Sequence, residues 1–196
     1  MKKSFIAIIG LIVLIIIIVL WYQGAYNGMV KEDENVKSAW GNVENQYQRR
    51  SDLIPNLVST VKGYATHEQT TLENVINARA KATQMTIDPT NLNEQTMAQF
   101  QAVQGELSSA LSRLLVNVEA YPDLKANQNF LDLQAQLEGT ENRISTERTR
   151  FNDAAQSYNT LIRKFPTNII AGISGFSAKP YFKAEAGAEK APEVKF

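Results

Sequence analysis

The sequence predicts an all-α protein, with a single N-terminal transmembrane helix followed by an elongated antiparallel bundle of about four helices. Three observations carry this reading. Residues Phe5 to Tyr22, FIAIIGLIVLIIIIVLWY, hold no charge and span roughly 27 Å at helical rise, close to a bilayer's hydrocarbon core. From Asn27 to Phe165 apolar side chains recur at spacings of three and four, with few strand signals and breaks only at three prolines and one polar loop. Near the end, Phe130, Leu137, Ile144, Phe151, Tyr158 and Phe165 fall at seven-residue intervals, the repeat of a packed helix seam.

The first element reads as an uncleaved anchor over residues 1–26. Its apolar run is longer than a usual signal-peptide core, and no small-x-small pair follows Trp21 and Tyr22. Trp21, Tyr22 and Tyr26 fit either an aromatic belt at the headgroups or the start of the next helix's packed face. Lys2 and Lys3 before the span, against KEDEN after it, place the body outside the cytoplasm by the positive-inside rule. Gly24 and Gly28 form a G-x-x-x-G beyond the apolar core, a weak dimerisation signal; the anchor and the next helix read either as one continuous helix or, because these glycines weaken the join, as two that meet at a hinge.

The body is expected over residues 27–176. In its first helix Val36, Trp40, Val43, Tyr47, Arg50, Ile54, Leu57, Val61 and Tyr64 form the seam, and the same count reaches back to Tyr22, Tyr26 and Met29. Pro55 should kink or interrupt this helix by removing a backbone donor, with Asp52 placed to cap a restart. Thr66 and Gln69 have capping-box form, so a second helix begins there and runs to about Met85, with Leu72, Val75, Ile76 and Arg79 inward. TIDPTNLNEQ is a loop. A third helix carries Met97, Phe100, Val103, Leu107, Leu111, Leu114 and Val118 to a break at Pro122. In the last long helix Leu133, Ala154 and Leu161 fill the companion seam position, whereas Thr140 and Glu147 do not fit it. Pro166 stops this helix, NIIAGISGF forms an apolar turn folding back on the body, and residues 177–196 read as a flexible tail without core contribution beyond Phe182.

Composition narrows function. The chain of 196 residues is 44% hydrophobic and 20% charged, which suits one domain with a packed core and excludes wholesale disorder. Its 20 basic and 20 acidic residues balance, so no nucleic-acid partner is expected. With no cysteine and one histidine, thiolate chemistry is impossible. His67 beside Glu68 at a helix start has no second histidine to complete a metal site. No G-x-S-x-G, P-loop or dinucleotide fingerprint occurs, so no catalytic residue, cofactor or metal is expected, and a hydrolase would rest only on scattered carboxylates.

Arg50 and Arg79 occupy inward positions and need partners, which Glu119, Glu138, Glu141 and Glu147 could supply. One reading is a structural ion-pair network that fixes helix register; the other is an anion or ligand site inside the bundle. Likewise the carbonyl that Pro55 frees near Ser51 is either part of a bend or a ligand or hinge element.

An apolar anchor followed by QRRSDLIPNLVSTVKGYATHE, then VEAYPDLKANQNFLDLQAQLEGTENRISTERTRFNDAAQSYN and FPTNIIAG, resembles the LemA family of bacterial membrane proteins over most of the chain. The resemblance implies a long antiparallel bundle held at the membrane, and its signature falls on Arg50, Asp52, Leu53, Pro55, Asn56, Tyr121, Pro122, Leu124, Glu141, Arg148 and Asn152. It implies no catalytic residues, and family descriptions put the short N-terminus outside the cell, opposite to the lysine-based reading. The expected function is a non-enzymatic membrane-anchored scaffold that meets the bilayer through residues 5–22 and binds a protein partner or copies of itself. The alternative is an extracytoplasmic ligand-binding or stress-sensing bundle. The candidate polar network is Arg50, Asp52, Pro55, Asn56, Arg79, Glu119, Glu141 and Arg148.

Overall fold

A computed structural model describes residues 2–65 and 68–183, with side chains from Phe5 onward. Among these residues the protein is all-helical, with no strand: α1 (Lys2–Lys62), α2 (Gln69–Gln84), a 3-10 turn (Pro89–Asn91), α3 (Glu94–Val118), the single turn α4 (Pro122–Lys125), α5 (Gln128–Arg163) and α6 (Thr167–Ser174). The expectations for Thr66, His67, the side chains of Lys2 and Lys3, and the tail beyond 183 concern residues outside those described.

α1 is one unbroken helix of 61 residues, so neither Gly24 and Gly28 nor Pro55 divides it. Its apolar N-terminal stretch is long enough to cross a membrane and none of it is buried. Beyond Tyr26 the helix acquires a packed stripe, with Met29, Val36, Trp40, Val43, Ile54, Leu57 and Val61 fully buried. α5 runs antiparallel along it: Trp40 meets Phe151 at 5.7 Å between ring centroids, and further along Arg50 meets Glu141. α2 folds back on α1 and α3 on α2, the latter pair tied at one end by Lys81 and Glu106 and at the other by Thr71 and Asn117. The α3 start is fixed by Asn93, whose side chain accepts from Thr96 N while the Thr96 hydroxyl accepts from Asn93 N. Pro122 takes the first position of α4, where its missing N–H costs nothing. Asn127 caps α5 through Phe130 N at 3.1 Å.

Several inward assignments shift. Ile76 and Tyr64 are exposed, and Ala78 and Ala82 take the buried places on α2. On α3 the buried residue is Gln104, and Val103 is only partly covered. Thr140 is buried in the α5 seam because its hydroxyl bonds the Gln136 carbonyl at 2.7 Å, satisfying the polar group locally. Phe165 leaves the seam at 81% exposure; it lies past the end of α5, and a straight helix drifts from a strict seven-residue repeat. α2 starts at Gln69 with Glu68 at its N-cap.

Residues 177–183, read above as part of a flexible tail, lie against α5 and bury Phe182 in the core. Two asparagines hold this strap. Asn159 donates to Lys179 O and accepts from Lys179 N, and Asn152 does the same with Phe182 O and N. The spacing matches: seven helical residues and three extended ones both advance roughly 10 Å.

Candidate functional site

The buried apolar residues form two clusters that meet at one level of the body. The first holds α1 residues from Met29 to Tyr47, α3 residues Met97 and Phe100, and α5 from Ile144 onward. The second holds α1 from Ile54, α3 from Leu107 and α5 up to Leu137. Between them the four long helices contribute polar groups instead: Arg50 and Ser51 from α1, Thr83 and Arg79 from α2, Gln104 and Ser108 from α3, and Thr140 and Glu141 from α5.

Arg50, 1% exposed, is the centre of this layer. Its Nη1 donates to Glu141 Oε1 at 2.7 Å and to Ser108 Oγ at 2.8 Å, and its Nη2 donates to Gln104 Oε1 at 2.6 Å and to the Gln104 carbonyl at 3.3 Å. Nε makes no hydrogen bond, and the guanidinium lies 5.0 Å from the Tyr47 ring centroid. A guanidinium cannot shed its charge at ordinary pH, so burial requires this set of acceptors. Glu141 is half exposed, so the pair opens on one side to a pocket of about 110 Å³ that Gln101 and Arg148 also line.

Arg79 answers a different need. Pro55 has no N–H to give the carbonyl four residues back, that of Ser51. Arg79 reaches from α2 and donates Nε to this carbonyl at 2.8 Å, while the Ser51 hydroxyl meets Thr83 Oγ1 at 2.9 Å. The freed acceptor is therefore satisfied from the neighbouring helix, which is why α1 continues through Pro55.

Of the eight network residues read from sequence, the structure brings Arg50 and Glu141 into contact and sets Arg79 on the adjacent turn. Arg148 donates to Lys183 O at 2.9 Å and lies 4.8 Å over the Phe182 ring, holding the strap. Asp52, Pro55 and Asn56 are exposed, Asp52 accepting from Gln48 at 2.8 Å. Glu119 pairs with Lys125 and takes no part in the layer, and Glu138 accepts from Gln134 on its own helix. Gln104, Ser108 and Thr83 are absent from that reading, and Ser51 enters it only through its carbonyl; a polar residue interrupting an otherwise apolar stripe is the signal that finds Gln104.

Two outlying clusters complete the polar map. At the far end Glu68 accepts from Asn117 at 2.6 Å, Thr71 at 3.0 Å and Tyr121 at 3.3 Å. On the anchor side Asp33 pairs with Lys179 at 2.8 Å and Lys37 at 2.9 Å. Burial alone would raise the Asp33 carboxyl, but the two ammonium groups more than offset it and hold it below the ordinary value. Burial, with Asp33 nearby, pushes the Tyr158 phenol up to about 12. Among the described residues no group of acidic and histidine side chains could hold a metal ion.

The model of the LemA family matches residues 39–196. The chain is 29% identical over 175 residues to magnetosome protein MamQ 2 of Paramagnetospirillum magneticum, covering 81% of this chain and 64% of that protein. It is 28% identical over 174 residues to magnetosome protein MamQ of Magnetospirillum gryphiswaldense, covering 80% and 64%, and 25% identical over 169 residues to protein LemA of Metamycoplasma hominis, covering 86% and 74%. It thus spans just under two thirds of the length of the magnetosome proteins it matches. Both the polar layer and the strap lie within the matched residues, and the chain belongs to the LemA family.

Proposed function

We propose that this protein is a membrane-anchored, non-enzymatic helical scaffold whose body, an elongated antiparallel bundle, presents a stiff surface to a protein partner or to further copies of itself. The observation that carries this reading is α1, which runs unbroken from the apolar segment to the far half of the body, so the body is held at a fixed distance and angle from its anchor. The polar layer supports the same reading, since Arg50 spends both terminal nitrogens on internal acceptors. Lys2 and Lys3 favour a bacterial cell membrane with the body outside the cytoplasm. Single cysteines at the exposed Ser145 and Ser177 of this cysteine-free chain, labelled by a membrane-impermeant reagent in intact cells, test the orientation; labelling only after lysis reverses it. Photo-crosslinkers at Val116 and Leu131, exposed on the body, test the scaffold role: discrete adducts are expected in membranes, and their complete absence overturns it.

A second reading, ligand sensing, draws on the cavity of about 300 Å³ beside the layer, which Glu44, Ser51, Thr83, Phe100 and Gln104 line. Burial raises the Glu44 carboxyl, and a ligand there would press directly on the α1–α2–α3 junction. Retention of a small molecule by purified protein, lost on filling the cavity from its exposed rim with Thr86→Trp, separates this reading from the first.

A further inference from the structure

We infer that α6 and the end of α5 form a second membrane contact, lying in the headgroup boundary of the same bilayer that segment 5–22 crosses; this rests on the anchoring reading above. α6 returns the chain to the place on α1 where the apolar run stops. Tyr22 OH lies 3.4 Å from Ser174 Oγ, and Tyr26 stacks on Tyr22 and meets the Phe176 ring edge-on at 5.6 Å. Gly175, in the left-handed conformation at φ 77°, ends α6 and makes that return possible.

One side of α6 is spent on the protein, with Ile170 and Ala171 buried beside Met29 and Ala25. What remains is apolar too. Ile169 is 54% exposed, Ile173 78% and Phe165 81%, and Trp21, Tyr22 and Tyr26 at the same level are also exposed. Other exposed apolar residues of the body, such as Ile76, Val116 and Leu131, are distributed over different helices. A patch of this kind costs free energy in water. Its position, continuous with a membrane-spanning segment, names its occupant: aromatic and branched aliphatic side chains flanked by exposed Arg163 and Lys164 suit the zone where acyl chains meet phosphate. The body would then be fixed at two points, which sets its tilt on the membrane.

The full-length chain tests this in vesicles of phosphatidylcholine and phosphatidylglycerol, with a single environment-sensitive fluorophore on a cysteine at Ile169, Ile173, Leu14 or Val116, and nitroxide-bearing lipids as quenchers. Blue-shifted emission and loss of signal to the quencher are expected at Leu14, Ile169 and Ile173, with neither at Val116. Quenching at Leu14 alone overturns the inference and leaves the anchor standing; no quenching at Leu14 overturns both. A blue shift at Ile173 that grows with protein density and ignores the quencher also overturns it, by assigning the patch to a second copy.

Discussion

The two halves of the body are built from different materials. On the anchor side of Arg50 the core is a stack of rings: Trp40 lies 5.1 Å from Phe100, 5.7 Å from Phe151 and 6.0 Å from Phe182, and Tyr47 lies 5.1 Å from Phe100. On the far side aliphatic side chains dominate, Ile54, Leu57, Val61, Val75, Leu107, Leu111, Leu114 and Leu137, with the ring of Phe130 among them. The aliphatic half is closed by α2, a helix whose small buried residues Ala78 and Ala82 allow near approach. The anchor half is closed instead by an extended strap, the loop residues Ile87 and Leu92, and the short helix α6. Large flat side chains pack against these segments, and asparagines on α5 supply the strap with the backbone partners a helix would have supplied to itself.

The contrast is broken most forcefully at Trp40. Trp40→Ala opens a cavity among three other rings and should cost about 4 kcal/mol. Amide exchange should then accelerate in the strap and in residues 85–92 while the far half keeps its protection; uniform acceleration would mean that the halves are one cooperative core. Asn152→Ala leaves both Phe182 backbone groups without partners and should cost about 2 kcal/mol, read as faster exchange at Phe182 with no change at Leu114.

A smaller effect sharpens the role of Pro55. Arg79→Ala should destabilise the protein by about 1 kcal/mol, and less when combined with Pro55→Ala, because the restored amide at 55 can serve the Ser51 carbonyl. Additive losses in that double-mutant cycle would show that Arg79 acts elsewhere. Smallest is the pH response of the strap. The Asp33 carboxyl is held below its ordinary value, so its contribution is complete above about pH 4 and is lost as pH falls through the depressed folded value. Strap protection should fall with it in acid, and Asp33→Asn should remove that dependence.

What was legible in the sequence follows from what is local. The α5 seam, the loop at Pro89 and the inward place of Arg50 depend on spacing along one helix, and spacing is visible. The continuity of α1 through Pro55 was not, because the group that satisfies Ser51 comes from Arg79 on another helix. Spacing along α3 points to Val103, whereas the buried residue is Gln104, whose amide oxygen is satisfied by Arg50 across the interface. Residues 177–183 carry no helical or strand periodicity, and their order comes from Asn152, Asn159 and Arg148 on α5. Glu119 matched the expected chemistry but lies too far along the body to reach Arg50's layer.

The central claim is that this polar layer fixes the register of α1 against α3 and α5 where two apolar cores meet. Arg50→Ala alone should cost about 3 to 5 kcal/mol by stranding its partners, whereas replacing the set together, Arg50→Met with Gln104→Leu and Glu141→Leu, should leave stability near that of the native chain. The decisive measurement is the spin-label distance distribution between cysteines at Arg49 on α1 and Ser145 on α5 in that triple variant. Loss of the layer should broaden a single narrow distance into several, spaced by slips of one helix along the other; one narrow peak at the native distance would contradict the claim.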